Sequence, residues 1–297
     1  MVTFSRALLL ASAVSAMALT GCGGDDSNSD GKAKLSLGMT DAPVDGAAEV
    51  WVQFSGVTLI RADGEAETTF TFDEPKRINL LAYQHGEIYP LLENEEIDAG
   101  EYSQIRLLVD TEGDLDTVIV LDGGATFELT IPSGAQTGLK LVSGFTATAG
   151  GEVNFTLDFD LRKSVTLTGN GEFKLRPTIR IIDNLEAGHI AGMVASDACP
   201  AESEMAIYVY EGTVTEPEDL GADAEPLVTT YVKTDLSYQA SFLAAGEYTL
   251  ALTCIADEDD PEVDDDAFGS GAGFVAVSGS LTVTADQTTE WNPAVGG

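Results

Sequence analysis

From Lys34 onward apolar and polar positions alternate with a period of two, in runs rich in Thr, Val, Ile and Phe that are broken by Gly, Asp and Asn clusters. This is the pattern of strands with one face in a core and one face in water. The clearest runs are residues 49–54, 104–109, 117–121, 126–131, 153–161 and 172–182. One short stretch departs from it. Within Pro90-Leu91-Leu92-Glu93-Asn94-Glu95-Glu96 the apolar residues lose their alternation, so a helical turn is expected over 91–97. Around 183–188 the alternation lapses again in Asn184-Leu185-Glu186-Ala187-Gly188 and restarts at His189, marking a boundary between two strand-built units. The expected fold is all-β: two β-sandwich domains in tandem, at 34–183 and 189–297.

The first thirty residues follow another rule. A start carrying Arg6 runs into apolar residues from Ala7 to Leu19, shorter than the roughly 20 needed to span a bilayer, and then into small residues, the build of a secretory signal. It ends in Leu19-Thr20-Gly21-Cys22, which resembles the lipobox of bacterial lipoproteins. The resemblance implies cleavage after residue 21 and acylation of Cys22; the plainer alternative is an ordinary signal peptide with a cysteine near the cut. At about 0.8 kcal/mol per buried methylene, two or three acyl chains would anchor the protein almost permanently. Residues 22–33 open with Gly, Asp, Ser and Asn and carry almost nothing to bury, as befits a flexible acidic tether. Gly23 beside the cysteine resembles the pattern sorted to the outer membrane.

Charge narrows the partners. The chain carries a formal net charge of −36, and from residue 186 to the end its acids face one base, Lys233. Such an excess repels nucleic acid phosphates and anionic headgroups, so no nucleic acid partner is expected and membrane contact should run through the acyl chains. With Cys22 taken by lipid, Cys199 and Cys254 remain as one pair in an oxidising compartment, and a disulfide between them is expected rather than two buried thiols.

Four stretches in the first unit carry a family resemblance: Thr40-Asp41-Ala42-Pro43, the run from Ala99-Gly100-Glu101-Tyr102 to Leu107, the run from Ile131-Pro132-Ser133-Gly134 to Leu141, and Leu157-Asp158-Phe159-Asp160-Leu161-Arg162-Lys163-Ser164. Together with Leu175-Arg176-Pro177-Thr178-Ile179 they resemble the bacterial lipoprotein domain of unknown function 4382. That likeness implies an exported β-sandwich of unestablished role. The second unit, through residues 189–194 and 245–252, looks like a carboxypeptidase regulatory-like or transthyretin-like sandwich. Such modules imply spacers or binding platforms, without the metal site of a carboxypeptidase.

Chemistry has few places to reside. In the strand 155–162, Asp158 and Asp160 share a face with Arg162. Two carboxylates could serve as acid and base in glycoside hydrolysis, or pair with Arg162, Arg106, Lys140 or Lys174 across strands. The acidic run 257–266 makes Asp257, Asp259, Asp264 and Asp266 calcium candidates, against a merely solvated loop; it lacks the turn Gly and the closing Glu of a calcium loop. Two histidines, His85 and His189, lie far apart, which argues against zinc sites and Cys/His nucleophile systems. Trp51, Tyr208 and Tyr210 alternate against aliphatic neighbours, so their rings are candidates for an outer, sugar-binding face unless a loop or the other unit covers them.

The sequence thus reads as a non-enzymatic envelope lipoprotein without a cofactor, lipid-anchored at the outer membrane, with a structural, adhesive or ligand-presenting role toward a protein or glycan. The alternatives are a carbohydrate-binding accessory lipoprotein and a carboxylate-based hydrolase.

Overall fold

A computed structural model describes residues 31–42, 46–64, 67–110, 116–132 and 138–294. The signal segment, Cys22 and nearly all of the tether lie outside the described residues. In chain order the first lobe contains β1 (Lys32–Ala42), β2 (Ala47–Arg61), β3 (Glu67–Asn79), β4 (Tyr89–Asp98), β5 (Gly100–Val109), β6 (Val118–Leu121) and β7 (Thr126–Thr130). It continues through β8 (Leu139–Leu141), β9 (Phe145–Ala147), β10 (Glu152–Asp160), a single helical turn α1 (Leu161–Ser164), β11 (Val165–Leu167), β12 (Phe173–Leu175) and β13 (Thr178–Asp183). The second lobe contains β14 (Ala187–Met193), β15 (Ala206–Glu211), β16 (Val228–Tyr231), β17 (Ser237–Ala244), β18 (Gly246–Thr253), β19 (Phe274–Val277), β20 (Leu281–Val283) and β21 (Thr288–Glu290).

The all-β reading holds. In the first lobe one sheet runs β13-β10-β1-β4, and the other runs β11-β12-β7-β6-β2-β5-β8 with β3 on β2 and β9 on β5. The two faces meet in one core: Leu35, Leu37 and Met39 of β1 with Leu157 and Phe159 of β10, against Val50, Val52, Phe54, Val57 and Leu59 of β2 with Ile105 and Leu107 of β5. Phe54 and Phe159 touch edge to face across the sandwich, ring centres 6.4 Å apart. In β2 the inward positions are even up to Phe54 and odd from Val57, and the ladder slips between Phe54 and Gly56. The extra residue of a bulge moves the following side chains to the opposite face, which keeps a long strand on one core. Gly56 is required there, because a Cβ would run into the Phe70 carbonyl.

The expected helical turn at 91–97 is corrected to part of strand β4. It pairs antiparallel with β1, with register shifts at Leu35/Leu37 and Leu37/Gly38, and Asn94 takes a positive φ of 54°. Bulges let the successive residues Leu91 and Leu92 both bury, which destroyed the alternation without making a helix. The expected run 172–182 is divided into β12 and β13, with Pro177 in the gap.

The second lobe has a sheet β17-β14-β21 and a sheet β16-β15-β18-β19 with β20 on β18. Ile190, Ile207, Val209, Leu250 and Leu252 fill the space between them. The other face of β15 and β18 is apolar too, with Ala206, Tyr208, Tyr210 and Ala251. It is covered by Phe268 and Phe274, which pack on Tyr208 at 6.1 and 5.2 Å. Cys199 and Cys254 are joined in a disulfide, Cα atoms 5.6 Å apart. Among the described residues no helix is long and apolar enough to cross a membrane.

Candidate functional site

The lobes are joined covalently by the turn at 184–186 and physically by a polar seam. Its centre is α1. The strand β10 stops at Asp160, whose carboxylate accepts a hydrogen bond from the Lys163 amide at 3.2 Å and so caps the turn. The turn carries Arg162 out of the first lobe and into the second. There Nη1 donates to the Tyr208 hydroxyl at 3.2 Å. Nη2 donates to the carbonyls of Ala256 at 3.2 Å and Asp259 at 3.3 Å, and lies 3.5 Å from the Asp259 carboxylate. The Tyr208 hydroxyl donates to that same carboxylate. Neither the Arg162 nor the Asp259 side chain is exposed, so two charges that would be costly alone are held against each other in a dry joint.

Burial dominates the electrostatics. It raises the Asp259 carboxyl to about 6 against the opposing pull of the Tyr208 hydroxyl and Arg162, with Asp219 adding to the rise. It also pushes the Tyr208 phenol far above its ordinary value, fixing it as a donor. Burial raises Asp160 as well. Around this centre Lys163 reaches the Pro226 carbonyl at 3.2 Å and Glu225 at 3.0 Å, and Thr166 donates to Glu262 at 3.1 Å. On another flank His85 Nδ1 lies 3.4 Å from Thr230 Oγ1. Gly86, at φ 92°, backs so closely on Gln239 that a Cβ would come within 2.6 Å of its amide nitrogen. Beside Phe155, Arg180 and Ile182 of one lobe and Phe242 and Tyr248 of the other, a cleft of about 550 Å³ remains open.

Residues 32–177 match the domain of unknown function DUF4382. The match takes in the first lobe as far as the residue before β13. No curated protein matches it. Among solved structures the chain is similar to the shaft pilin SpaA of Lactobacillus rhamnosus GG, at 10% identity over 89% of this chain and 98% of that one, TM-score 0.24. It is similar to the major pilin subunit BcpA of Bacillus cereus, at 11% identity over 89% and 100%, TM-score 0.20. It is also similar to the Bacillus anthracis TIE protein, at 11% identity over 88% and 33%, TM-score 0.20. The chain spans about a third of the TIE protein's length and about a quarter of that of a Bacteroides thetaiotaomicron leucine-rich repeat protein. Likenesses this distant carry no argument about role.

In the first lobe the two carboxylates do not share one cleft: Asp158 lies in a narrow gap beside His85 and Thr230, and Asp160 lines a separate open groove with Lys163, Tyr210 and Glu225. Asp158 stands opposite Arg180 on β13 and is paired with it, a partner the sequence reading did not name. Asp160 is the cap of α1. Both are buried, because the face of β10 that alternation assigns to water lies under the second lobe. The sugar-binding candidates separate. Tyr208 and Tyr210 are corrected to core residues at 0% and 2% exposure, closed over by Phe268 and Phe274. Trp51 stays half-buried on the surface of the first lobe, its indole nitrogen 2.7 Å from Glu49 and its ring 4.6 Å below Arg77. Of the four calcium candidates, Asp257, Asp264 and Asp266 are exposed, and Asp259 turns inward. It meets Asp219 and Asp265, neither of which was singled out, so that carboxylate oxygens of all three lie within 4.8 Å of one another. Asp219 escaped notice because it sits 40 residues earlier, in a loop of ordinary acidic composition.

Proposed function

We propose that this protein is a non-enzymatic lipoprotein of the bacterial cell envelope, acylated on Cys22 and lodged in the outer membrane, whose two strand-built lobes act as one body with a structural, adhesive or ligand-presenting role. The observation that supports this reading is the seam. Asp158, Asp160 and Arg162, the groups acid–base chemistry would need at an open cleft, are spent on pairing, capping and docking instead. The resemblance of the second lobe to carboxypeptidase regulatory-like modules fits a spacer or platform. Labelling cells with radioactive palmitate tests the anchor: label should appear on the wild type and vanish in Cys22→Ala, with the wild type in the outer-membrane fraction. An unlabelled wild type defeats the proposal. A deletion strain tests the role and should show an envelope or attachment defect.

Carbohydrate binding is the second reading, and Trp51 carries it as a half-buried ring on an outer face. A glycan array on which wild type binds and Trp51→Ala does not would favour it. Silence of both would remove it.

A further inference from the structure

We propose that Asp219, Asp259 and Asp265 form a binding site for a hard divalent cation of the calcium class, which clamps two loops of the second lobe behind the Arg162 joint. Three independent features converge there. Carboxylate oxygens of the three residues lie within 4.8 Å of one another, so all three fit on one coordination shell at the 2.3–2.6 Å typical of calcium. Second, the Asp259 side chain is fully buried, and while its Oδ2 serves Tyr208 and Arg162, its Oδ1 is buried with no hydrogen-bond partner. The Leu220 amide is near enough to the carboxylate to act as a backbone donor that lowers its pKa, yet its geometry leaves Oδ1 without a properly formed hydrogen bond. A buried carboxylate oxygen left bare costs free energy unless a donor or a cation meets it.

Third, the loops that supply the carboxylates are already pressed together. The Asp265 amide donates to Asp219 Oδ2 at 2.7 Å, and the Asp260 amide donates to Asp265 Oδ2 at 2.7 Å. Gly221 sits at φ 86° against Val263, where a Cβ would come within 2.6 Å of the Val263 carbonyl. This packing brings three anionic side chains into one place, two of them buried. The nearby positive charge is Arg162, which lies on the Oδ2 side of Asp259. Arg162 balances one carboxylate and leaves the mutual repulsion of the others. The donor set is oxygen alone, which selects calcium or magnesium over zinc or copper. Flexible loops at irregular spacing suit calcium better than the strict octahedron of magnesium.

Terbium, a luminescent stand-in for calcium, tests the site directly, since Tyr208 touches Asp259 and can sensitise a bound ion. With the full chain freed of metal, tyrosine-excited terbium emission should rise to saturation, and calcium should displace it. Calcium should also raise Tm by several degrees at about 5 mM, in line with the 10⁻⁴–10⁻³ M affinities of extracellular calcium modules. Asp219→Asn and Asp265→Asn should each lose the emission and the calcium shift while melting cooperatively without metal at a temperature no lower than the metal-free wild type, because each removes repulsion. No saturable emission from the wild type overturns the proposal. So does emission, or a calcium shift, retained in full by both variants.

Discussion

Arg162 and Asp259 stand 97 residues apart in the chain and 3.5 Å apart in space, with both side chains fully enclosed. One comes from the helical turn that follows β10 in the first lobe and the other from an acidic loop of the second. Removing one partner of such a pair strands the other's charge, at a cost of about 3–5 kcal/mol. Arg162→Met should therefore lower the free energy of unfolding by about that amount, and the single denaturation transition should separate into two as the lobes uncouple. The double change Arg162→Met with Asp259→Asn should recover part of the loss. Urea melts followed by tryptophan fluorescence and circular dichroism read both effects, and a single variant indistinguishable from wild type would contradict the joint.

His85 predicts a pH dependence. Burial, helped by the charge of Lys233 and opposed by Asp235, lowers its pKa from 6.5 to about 4. The unfolded chain thus binds a proton between pH 6.5 and 4 that the folded chain refuses. The stabilisation is complete above pH 6.5 and is lost as pH falls through that window. Discounted for partial exposure, the loss should be about 1–2 kcal/mol. The gap between wild type and His85→Gln in urea midpoints should therefore narrow from pH 7 toward pH 4. A gap that stays constant would show that the histidine does not titrate as described.

Asp158→Asn and Asp160→Asn should act differently. The first breaks a buried pair with Arg180 and should cost about 1–3 kcal/mol. The second keeps an oxygen that can cap α1, since Asn caps nearly as well as Asp, and should cost well under 1 kcal/mol. Thermal melts of the two variants check the order. If either abolished a hydrolytic activity while leaving the melt unchanged, the structural assignment of these carboxylates would fall.

The disulfide and the core set the remaining scale. Reducing Cys199–Cys254, with a sequence separation of 55, should remove about 4 kcal/mol in the chain-entropy account. A melt with and without reductant, repeated on a Cys199→Ala/Cys254→Ala protein that should no longer respond, isolates that contribution. Phe159→Ala should cost about 3–5 kcal/mol, because the ring is fully buried against Phe54.

Much of the architecture is legible in the alternation, since a half-buried strand writes its face into every second residue. Two features hid from that rule. Bulges at Gly56 and in β4 shift the phase by one, and in β4 the shift imitates a helix. Second faces are also covered: Tyr208, Tyr210, Asp158 and Asp160 occupy positions that alternation assigns to water, and a loop or the other lobe closes over them. The candidate site was legible only in part. Asp259 stood out in its acidic run, but Asp219 and Arg162 reach it from 40 and 97 residues away, through contacts that no local spacing records.

The place of β1 carries a consequence for the order in which the chain folds. This strand is an interior member of its sheet, held on one flank by β4 and on the other, in parallel, by β10, with Lys34 opposite Glu152 and Ala42 opposite Asp160. In the folding of the lobe β1 must therefore wait for β10, with β2 to β9 intervening in the chain and β4 of its other flank among them, before its sheet can close. Pairing β1 with β10 is a long-range contact whose loop-closure cost comes before its reward, so local hairpins such as β2–β3 and β6–β7 are free to form well ahead of it.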